Sequence, residues 1–478
     1  MLMMLAIALP LLGAAAVFRA GEPKRVHRLT AGIVFLSAAL ALCAVWLGGG
    51  SFTLLRMSAQ LSLRFAADDL SRFFVTLVSV IWCLVQFHAF GYMKHEGAES
   101  RFFGFFLLTY ASLVALALAE NAVTLYMCFE FMTLFSMPLV LHNGTESSRA
   151  AAFKYLGYSM LGALMALVGF FLAAAQGNAL DFVPGGAGLK GESSVLLAAA
   201  FLAVLGFGAK AGLAPLQMWL TEAHPVAPSP ASAVLSGLIT KGGVLSILRT
   251  VFWLFGADFL RGTWVQTTVL VLAVITIFMG SMLALSETVL KKRLAYSTIS
   301  NVSYVLFGLF CFTKTGFAGA LLQLTAHALA KDALFLCAGS VIFATGCTKV
   351  NELKGLGRRM PRTLWCFTLA SLSLIGIPPL GGFVAKWYLA LGALEGGAAL
   401  NTVGVVMLMV SALLTAFYLL PIVADAFFPG RDFEAGERCE VSGTMWIPQA
   451  VLTGLTALAG MFPAPLLAFF TALAGALL

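Results

Sequence analysis

Apolar stretches long enough to cross a lipid bilayer fill this chain almost from end to end, and they leave few folds open to it. A helix needs about 20 apolar residues to cross ~30 Å of hydrocarbon. About 14 such stretches can be drawn, with approximate limits 2–18, 29–48, 70–92, 102–119, 121–141, 150–175, 195–219, 230–252, 264–286, 293–312, 316–345, 362–393, 400–427 and 445–475. The runs are continuous and do not alternate, which excludes a membrane β-barrel. Of 478 residues, 60% are hydrophobic and only 10% charged, a balance outside that of soluble globular chains. The expected fold class is an all-α integral membrane protein of about 14 transmembrane helices. The longest polar stretches are 49–69 and 428–443, and alternation in the first predicts a short hairpin at the membrane surface.

The stretch Met1 to Phe18 lacks the basic start of a signal peptide and is followed by Arg19, Lys24, Arg25 and Arg28, so it reads as the first span. Eight cysteines are scattered, with no CxxC, which argues against a disulfide framework, an iron–sulfur cluster or a metal. No cofactor is expected. The formal charge of +8 does not imply nucleic acid, because most basic residues lie in short loops where they set orientation. Taken alternately, the loops divide these residues 18 to seven, with Arg431 in the larger set and Arg249 in the smaller. The positive-inside rule then puts both termini outside a cell inner or plasma membrane.

Lys210, Lys241, Lys331 and Lys386 fall within apolar stretches, and Glu130 joins them in "YMCFEFMTLF". A central lysine costs about 2.5–3.5 kcal/mol on insertion scales. Four of them with a carboxylate argue for use rather than accident. Desolvation disfavours an ammonium and a neighbouring carboxylate favours it. A lysine whose neighbours move therefore gains or loses a proton through small rearrangements. His327 lies four residues before Lys331, on the same helix face. A horizontal proton relay through Glu130, Lys210, Lys241, His327, Lys331 and Lys386 is the reading these residues favour. The competing reading is that a buried lysine is merely paired, or snorkels to the interface. His88 and His142 are expected to be structural, and Asp332 is expected to point away from its neighbour Lys331.

Pro215 interrupts one span just after Lys210, and Pro378 and Pro379 interrupt another just before Lys386. Such breaks persist at membrane depth only where protein or a wet cavity satisfies the freed backbone. The two lie five spans apart. Five is odd, so units built around them have opposite topology, the pattern of inverted repeats. Two unrelated kinks are the plainer alternative.

These residues resemble a known family: the antiporter-like proton-pumping subunits of respiratory complex I, of energy-converting hydrogenases and of multisubunit (Mrp-type) cation/proton antiporters. The resemblance covers about residues 65–425 and is carried by "CFEFMTLFSMPLV", "AAFKYLGYSMLGALMALVGF", "GFGAKAGLAPLQMWLTEAHPVAPSPASAVLSGLITKGG", "LKKRLAYSTISNVSYVLFG", "AHALAKDALFLCAGSV" and "LGRRMPRTLWCFTLASLSLIGIPPLGGFVAKWYLA". It implies 14 helices with two inverted five-helix repeats and broken helices seven and twelve. The segments are then 1–100 (three N-terminal helices), 101–255 and 260–428 (the repeats), and 429–478 (a loop and the last helix). It further implies that Glu130 pairs with Lys210, that Lys241, His327 and Lys331 are central relay positions, and that Lys386 is the exit to the outside. Val289, Asp332 and Phe129 depart from the family pattern, the last two beside relay residues. The length is nearer that of the shorter complex I subunits or the D-type antiporter subunit.

The resemblance implies a subunit that translocates protons, or protons against a cation such as sodium, beside neighbouring membrane subunits. It implies no catalytic chemistry of the chain's own. A stand-alone transporter of a small solute and a non-conducting structural subunit are the alternatives.

Overall fold

A computed structural model describes residues 1–58, 61–186, 188–430 and 436–478; Arg431 and the adjoining part of the expected C-terminal loop lie outside the described residues. Among the described residues ten helices are long and apolar enough to cross a membrane: Pro23–Trp46, Asp69–Glu96, Glu99–Ala117, Ala122–Val140, Glu146–Ala175, Ser193–Ala211, Ser229–Phe255, Trp264–Ser286, Lys314–Thr345 and Ala399–Phe427. The chain is a multi-pass integral membrane protein. Three further stretches depart from that pattern for plain reasons. Leu2–Phe18 is short, Leu290–Phe310 begins with Lys291, Lys292 and Arg293, and Pro361–Ile375 is separated by a break from Gly381–Glu395. The expected last span at 445–475 is two helices, Gly443–Met461 and Ala464–Gly475, bent by 72°. Pro463 at the bend has no backbone N–H to continue the first of them.

Between Pro23–Trp46 and Asp69–Glu96, Ser51–Arg56 and Ser62–Ala66 form an antiparallel hairpin. Phe52 stacks on Phe65 across it, with ring centroids 5.2 Å apart. The hairpin is tied to the bundle where Ala66 N–H donates to Leu118 O.

Helix Ser229–Phe255 is the axis of the bundle, with its most apolar stretch entirely buried, and Lys314–Thr345 is 78% buried by the same measure. A helix apolar on all sides belongs in such a place. Glycines let its neighbours approach. A Cβ at Gly243 would stand 2.7 Å from Ala211 N, and one at Gly242 would stand 2.8 Å from Met132 Sδ. The axis is not a plain α-helix. It winds as π-helix over Leu235–Ile239 and again over Arg249–Phe255.

Arg249, expected in a loop, is instead buried in the second π turn. Its guanidinium donates to both carboxylate oxygens of Asp68, at 2.5 and 2.8 Å, and to Ser71 Oγ, and it lies 4.8 Å from the ring centroid of Trp253. Those partners replace the water that a loop would supply. Lys291 and Arg293 are also buried, held by Ala227 O and by the carbonyls of Glu287 and Tyr418. Without these three residues the loop bias is 16 to six, so its sign stands.

Candidate functional site

Lys210 sits at the C-terminal end of Ser193–Ala211, where the helix stops at Gly212 in a left-handed conformation (φ 85°) and helix resumes at Met218. The groups freed by the break find partners. Trp219 Nε1 donates to Ala209 O at 2.8 Å, and Ala214 N–H donates to Thr276 Oγ1 at 3.1 Å. The Lys210 ammonium is fully buried and donates to Tyr155 Oη at 2.7 Å and Ser159 Oγ at 2.9 Å. It also lies 4.0 Å from the Tyr155 ring centroid and 5.5 Å from that of Trp219. Glu130 is half-buried and accepts from Tyr126 Oη at 3.3 Å. It acts on Lys210 electrostatically, without an ion-pair contact among the described residues.

The centre is built from the two most enclosed elements. Lys241 Nζ is 2.6 Å from Ser236 O and 2.7 Å from His327 Nδ1. The accepting carbonyl belongs to the first π turn. Lys331, one turn beyond His327 on Lys314–Thr345, donates to Leu294 O at 3.0 Å. Two residues that sequence reasoning missed or set aside join this cluster. His224 is fully buried, stacked 4.7 Å from the Phe335 ring, with no protein hydrogen-bond partner for either ring nitrogen. It feels the charges of Lys291, Lys331 and Lys241. Asp332 is fully buried as well, and neither carboxylate oxygen has a protein hydrogen-bond partner. The signal for His224 was a titratable group in an apolar segment beside the Pro215 break, read there only as part of a motif.

The second broken helix closes the line. Pro361–Ile375 ends at Gly376 (φ 96°), leaving carbonyls that cannot bond onward. Lys386 supplies the donor, reaching Leu374 O at 2.5 Å and Ile375 O at 2.8 Å. A cation at a helix C-terminus is favoured by the helix dipole. Lys386 acts electrostatically on His327 and lies 5.5 Å from the Tyr304 ring centroid. Pro215 and Pro379 follow cis peptide bonds, after Ala214 and Pro378 respectively. His88, which meets Ser340 Oγ at 3.3 Å, and His142, which meets Gly97 O at 3.1 Å, stand apart from this cluster.

Two carboxylates outside the spans are held by fixed partners. Burial alone would raise Asp68, yet the Arg249 guanidinium and Ser71 bring it down to about 2. At Glu287 burial is likewise outweighed by the Val289 and Thr288 N–H groups and by Lys292, and the carboxyl lies below its usual range. Among the described residues no group of three or more His, Cys, Asp or Glu could hold a metal ion. Among the buried lysines and histidines, Lys241 and His327 are in hydrogen-bond contact, Tyr155 and Ser159 hold Lys210, and the Ser236 carbonyl holds Lys241.

Comparison with known proteins follows the same lines. Residues 119–415 match the family described as "NADH:quinone oxidoreductase/Mrp antiporter, TM", and residues 55–103 match "NADH-Ubiquinone oxidoreductase (complex I), chain 5 N-terminus". The chain is 33% identical over 422 residues to hydrogenase-4 component B of Escherichia coli (strain K12), covering 84% of this chain and 62% of that protein. It thus spans less than two thirds of that relative's length. It is 29% identical over 439 residues to the D-type subunit of the Na(+)/H(+) antiporter of Alkalihalophilus pseudofirmus, covering 91% of this chain and 87% of that one. A chain of the Mrp complex from Dietzia sp. DQ12-45-1b shares the fold, with a TM-score of 0.88 at 22% identity over 99% of this chain and 97% of that one.

Proposed function

The chain belongs to the NADH:quinone oxidoreductase/Mrp antiporter transmembrane family, and on that premise we propose that it is a proton-translocating membrane subunit of a larger assembly. Protons move parallel to the membrane through Glu130, Lys210, Lys241, His327, Lys331 and Lys386. The observation that carries this reading is the direct 2.7 Å contact between Lys241 and His327 at the centre of the bundle. Ionisable residues at such depth are costly and mark ion pathways. Buried polar atoms need partners, and those of His327 Nε2, His224 and Gln323 Oε1, unmatched by protein, suit a chain of ordered water.

Fourteen spans result when the ten long apolar helices are joined by the bent C-terminal pair, the short first helix, Leu290–Phe310 and the broken pair before and after Gly376. In this arrangement 101–255 and 260–428 are inverted five-helix repeats, with the broken helices seventh and twelfth, and both termini lie outside. The pairing of Lys210 and Lys386 with the two breaks supports it: each cation stands at a helix end whose freed groups are satisfied locally. Hydrogenase component and antiporter subunit are the roles the relatives' names give them. By that likeness the present chain packs beside other membrane subunits, and any redox chemistry resides in those partners.

The test is proton flux by the purified assembly in liposomes under an imposed membrane potential, read by a trapped pH dye. Lys210→Ala and Glu130→Gln abolish or strongly reduce flux while the assembly remains intact. Undiminished flux in both overturns the proposal and leaves a structural subunit; flux that requires a small solute leaves a solute transporter.

A further inference from the structure

We propose that Asp332 is a further ionisable member of this path, the carboxylate with which Lys241 exchanges its proton. The inference rests on the proton-translocation reading and names a residue beyond the relay set out above. Asp332 is the sole acidic residue among the described residues that is fully buried. Neither of its oxygens meets a protein donor. The carboxylate lies against Gly237, so close that a Cβ there would stand 1.6 Å from Oδ2 and 2.4 Å from Cγ. Gly237 therefore provides the hollow in which the carboxylate sits, and any larger residue would expel it.

That hollow belongs to the π turn Leu235–Ile239, the same turn whose Ser236 carbonyl accepts from Lys241 Nζ. One turn of backbone thus brings the acid and the amine together, and the two act on each other electrostatically. An ammonium has three protons to donate. Those of Lys241 toward Ser236 O and His327 Nδ1 account for two, which leaves one N–H; because neither acid oxygen is in hydrogen-bond contact with it, the proton passes to Asp332 through an intervening water. The buried or partly buried basic groups on the elements packed about Asp332 are His327 and Lys331 on its own helix, His224, His88 on Asp69–Glu96, Lys291 and Arg293 on Leu290–Phe310, and Lys386; the same elements carry the weak acids Tyr92, Tyr304 and Cys337 and the carboxylates Asp69, Glu96 and Glu395.

The exchange balances simply. An Nζ–H bond of the ammonium breaks and an O–H bond forms on the carboxylate, leaving a neutral amine and a neutral acid. The net charge of the buried cluster is the same before and after. In a medium of low dielectric this matters, because an isolated carboxylate there is far costlier than either a matched pair of charges or two neutral groups. With the acid ionised, Lys241 can pass a proton to His327 and the imidazolium then takes over as the counter-charge of the carboxylate, so the cluster stays neutral overall.

The test replaces Asp332→Asn in the assembly and measures flux against pH in liposomes, with Lys210→Ala in parallel. Loss of the anion weakens proton binding at Lys241, so the alkaline limb of the flux profile moves down by about one pH unit, roughly tenfold in proton affinity. Infrared difference spectra between acid and alkaline pH lose a carboxylic-acid carbonyl band in Asp332→Asn and keep it in Glu130→Gln. An unshifted profile together with an unchanged spectrum overturns the role of Asp332. If Lys210→Ala and Glu130→Gln both leave flux intact, the translocation reading fails, while the infrared result still decides whether Asp332 titrates. Should Asp332→Asn not assemble, Lys241→Gln serves instead: the acid band then persists at alkaline pH, and its disappearance there overturns the proposal.

Discussion

Lys241 Nζ and His327 Nδ1 stand 2.7 Å apart, and both side chains are closed off from solvent. Contact at that distance needs a proton on one nitrogen and a lone pair on the other. With the lysine donating, Nδ1 is the acceptor and the neutral ring carries its proton on Nε2, which meets no protein partner. A proton received at Nδ1 then releases another from Nε2, so the ring passes charge without rotating. His327→Phe keeps the volume and loses both nitrogens. Proton flux in liposomes should fall about 10²-fold, the lower range for losing a positioned acid–base group, with the assembly intact by size-exclusion chromatography.

Lys210 depends on two hydroxyls rather than on a direct carboxylate contact. Tyr155→Phe keeps the ring beneath the ammonium and removes one acceptor; Ser159→Ala removes the other. Each single change is expected to lower flux several-fold, and the double variant to approach Lys210→Ala. Additive small losses, with the double variant near wild type, would show that the hydroxyls are not what holds the ammonium.

The Asp68–Arg249 contact makes stability depend on pH. Asp68 has its folded value near 2 against an ordinary 3.8. A depressed carboxylate stabilises the fold above its unfolded value and ceases to do so as pH falls through the folded one. Thermal melting of the solubilised protein should therefore fall as pH is lowered from about 4 toward about 2, over and above any loss seen in Asp68→Asn. At neutral pH Asp68→Asn should itself cost about 1.5–3 kcal/mol, the range for hydrogen bonds to a charged group. The Asp68 side chain is 37% exposed, which places the expected cost toward the lower end.

Gly382 is the second residue of the helix that follows the second break, Gly381–Glu395. A Cβ there would stand 1.8 Å from the backbone carbonyl oxygen of Ser373, which cannot swing aside as a side chain can. Gly382→Ala should destabilise the protein by about 1–3 kcal/mol, as overpacking does, and lower its melting temperature. Gly157, with open space at its Cβ, should accept alanine without loss.

Much of the proposed path was legible because a charge within an apolar run is conspicuous: Lys210, Lys241, Lys331 and Glu130 announce themselves by their surroundings. What hid were residues whose meaning depends on another helix. The expectation that Asp332 points away from Lys331 rested on helix geometry alone, and geometry along one helix cannot reveal the Gly237 hollow across the interface. His224 was masked by the prolines around it. Arg249 looked like a loop residue because it lies close to the end of an apolar run, and nothing local tells of Asp68, 181 residues earlier. The bend at 462–463 was within reach, since Pro463 is visible in the sequence, but a continuous apolar run outweighed it.

A π turn accommodates one residue more than the α-helix would over the same stretch. Each residue in an α-helix advances the side-chain direction by about 100°. The widened turn at Leu235–Ile239 therefore sets the azimuth of everything N-terminal to it, Ser229 through Val234, relative to Lys241. Deleting a single residue inside the turn would remove the extra residue and restore α-helical winding with the upstream segment still in phase, whereas deleting one from the α-helical stretch before Lys241 would turn that segment by about 100°. In the second case Ser229 would turn from Tyr92 and Ser232 from the His224 carbonyl. In this helix, phase is as much a heritable property as composition: the π turn is where one residue can be lost without a change of phase, and the α-helical stretches are where it cannot.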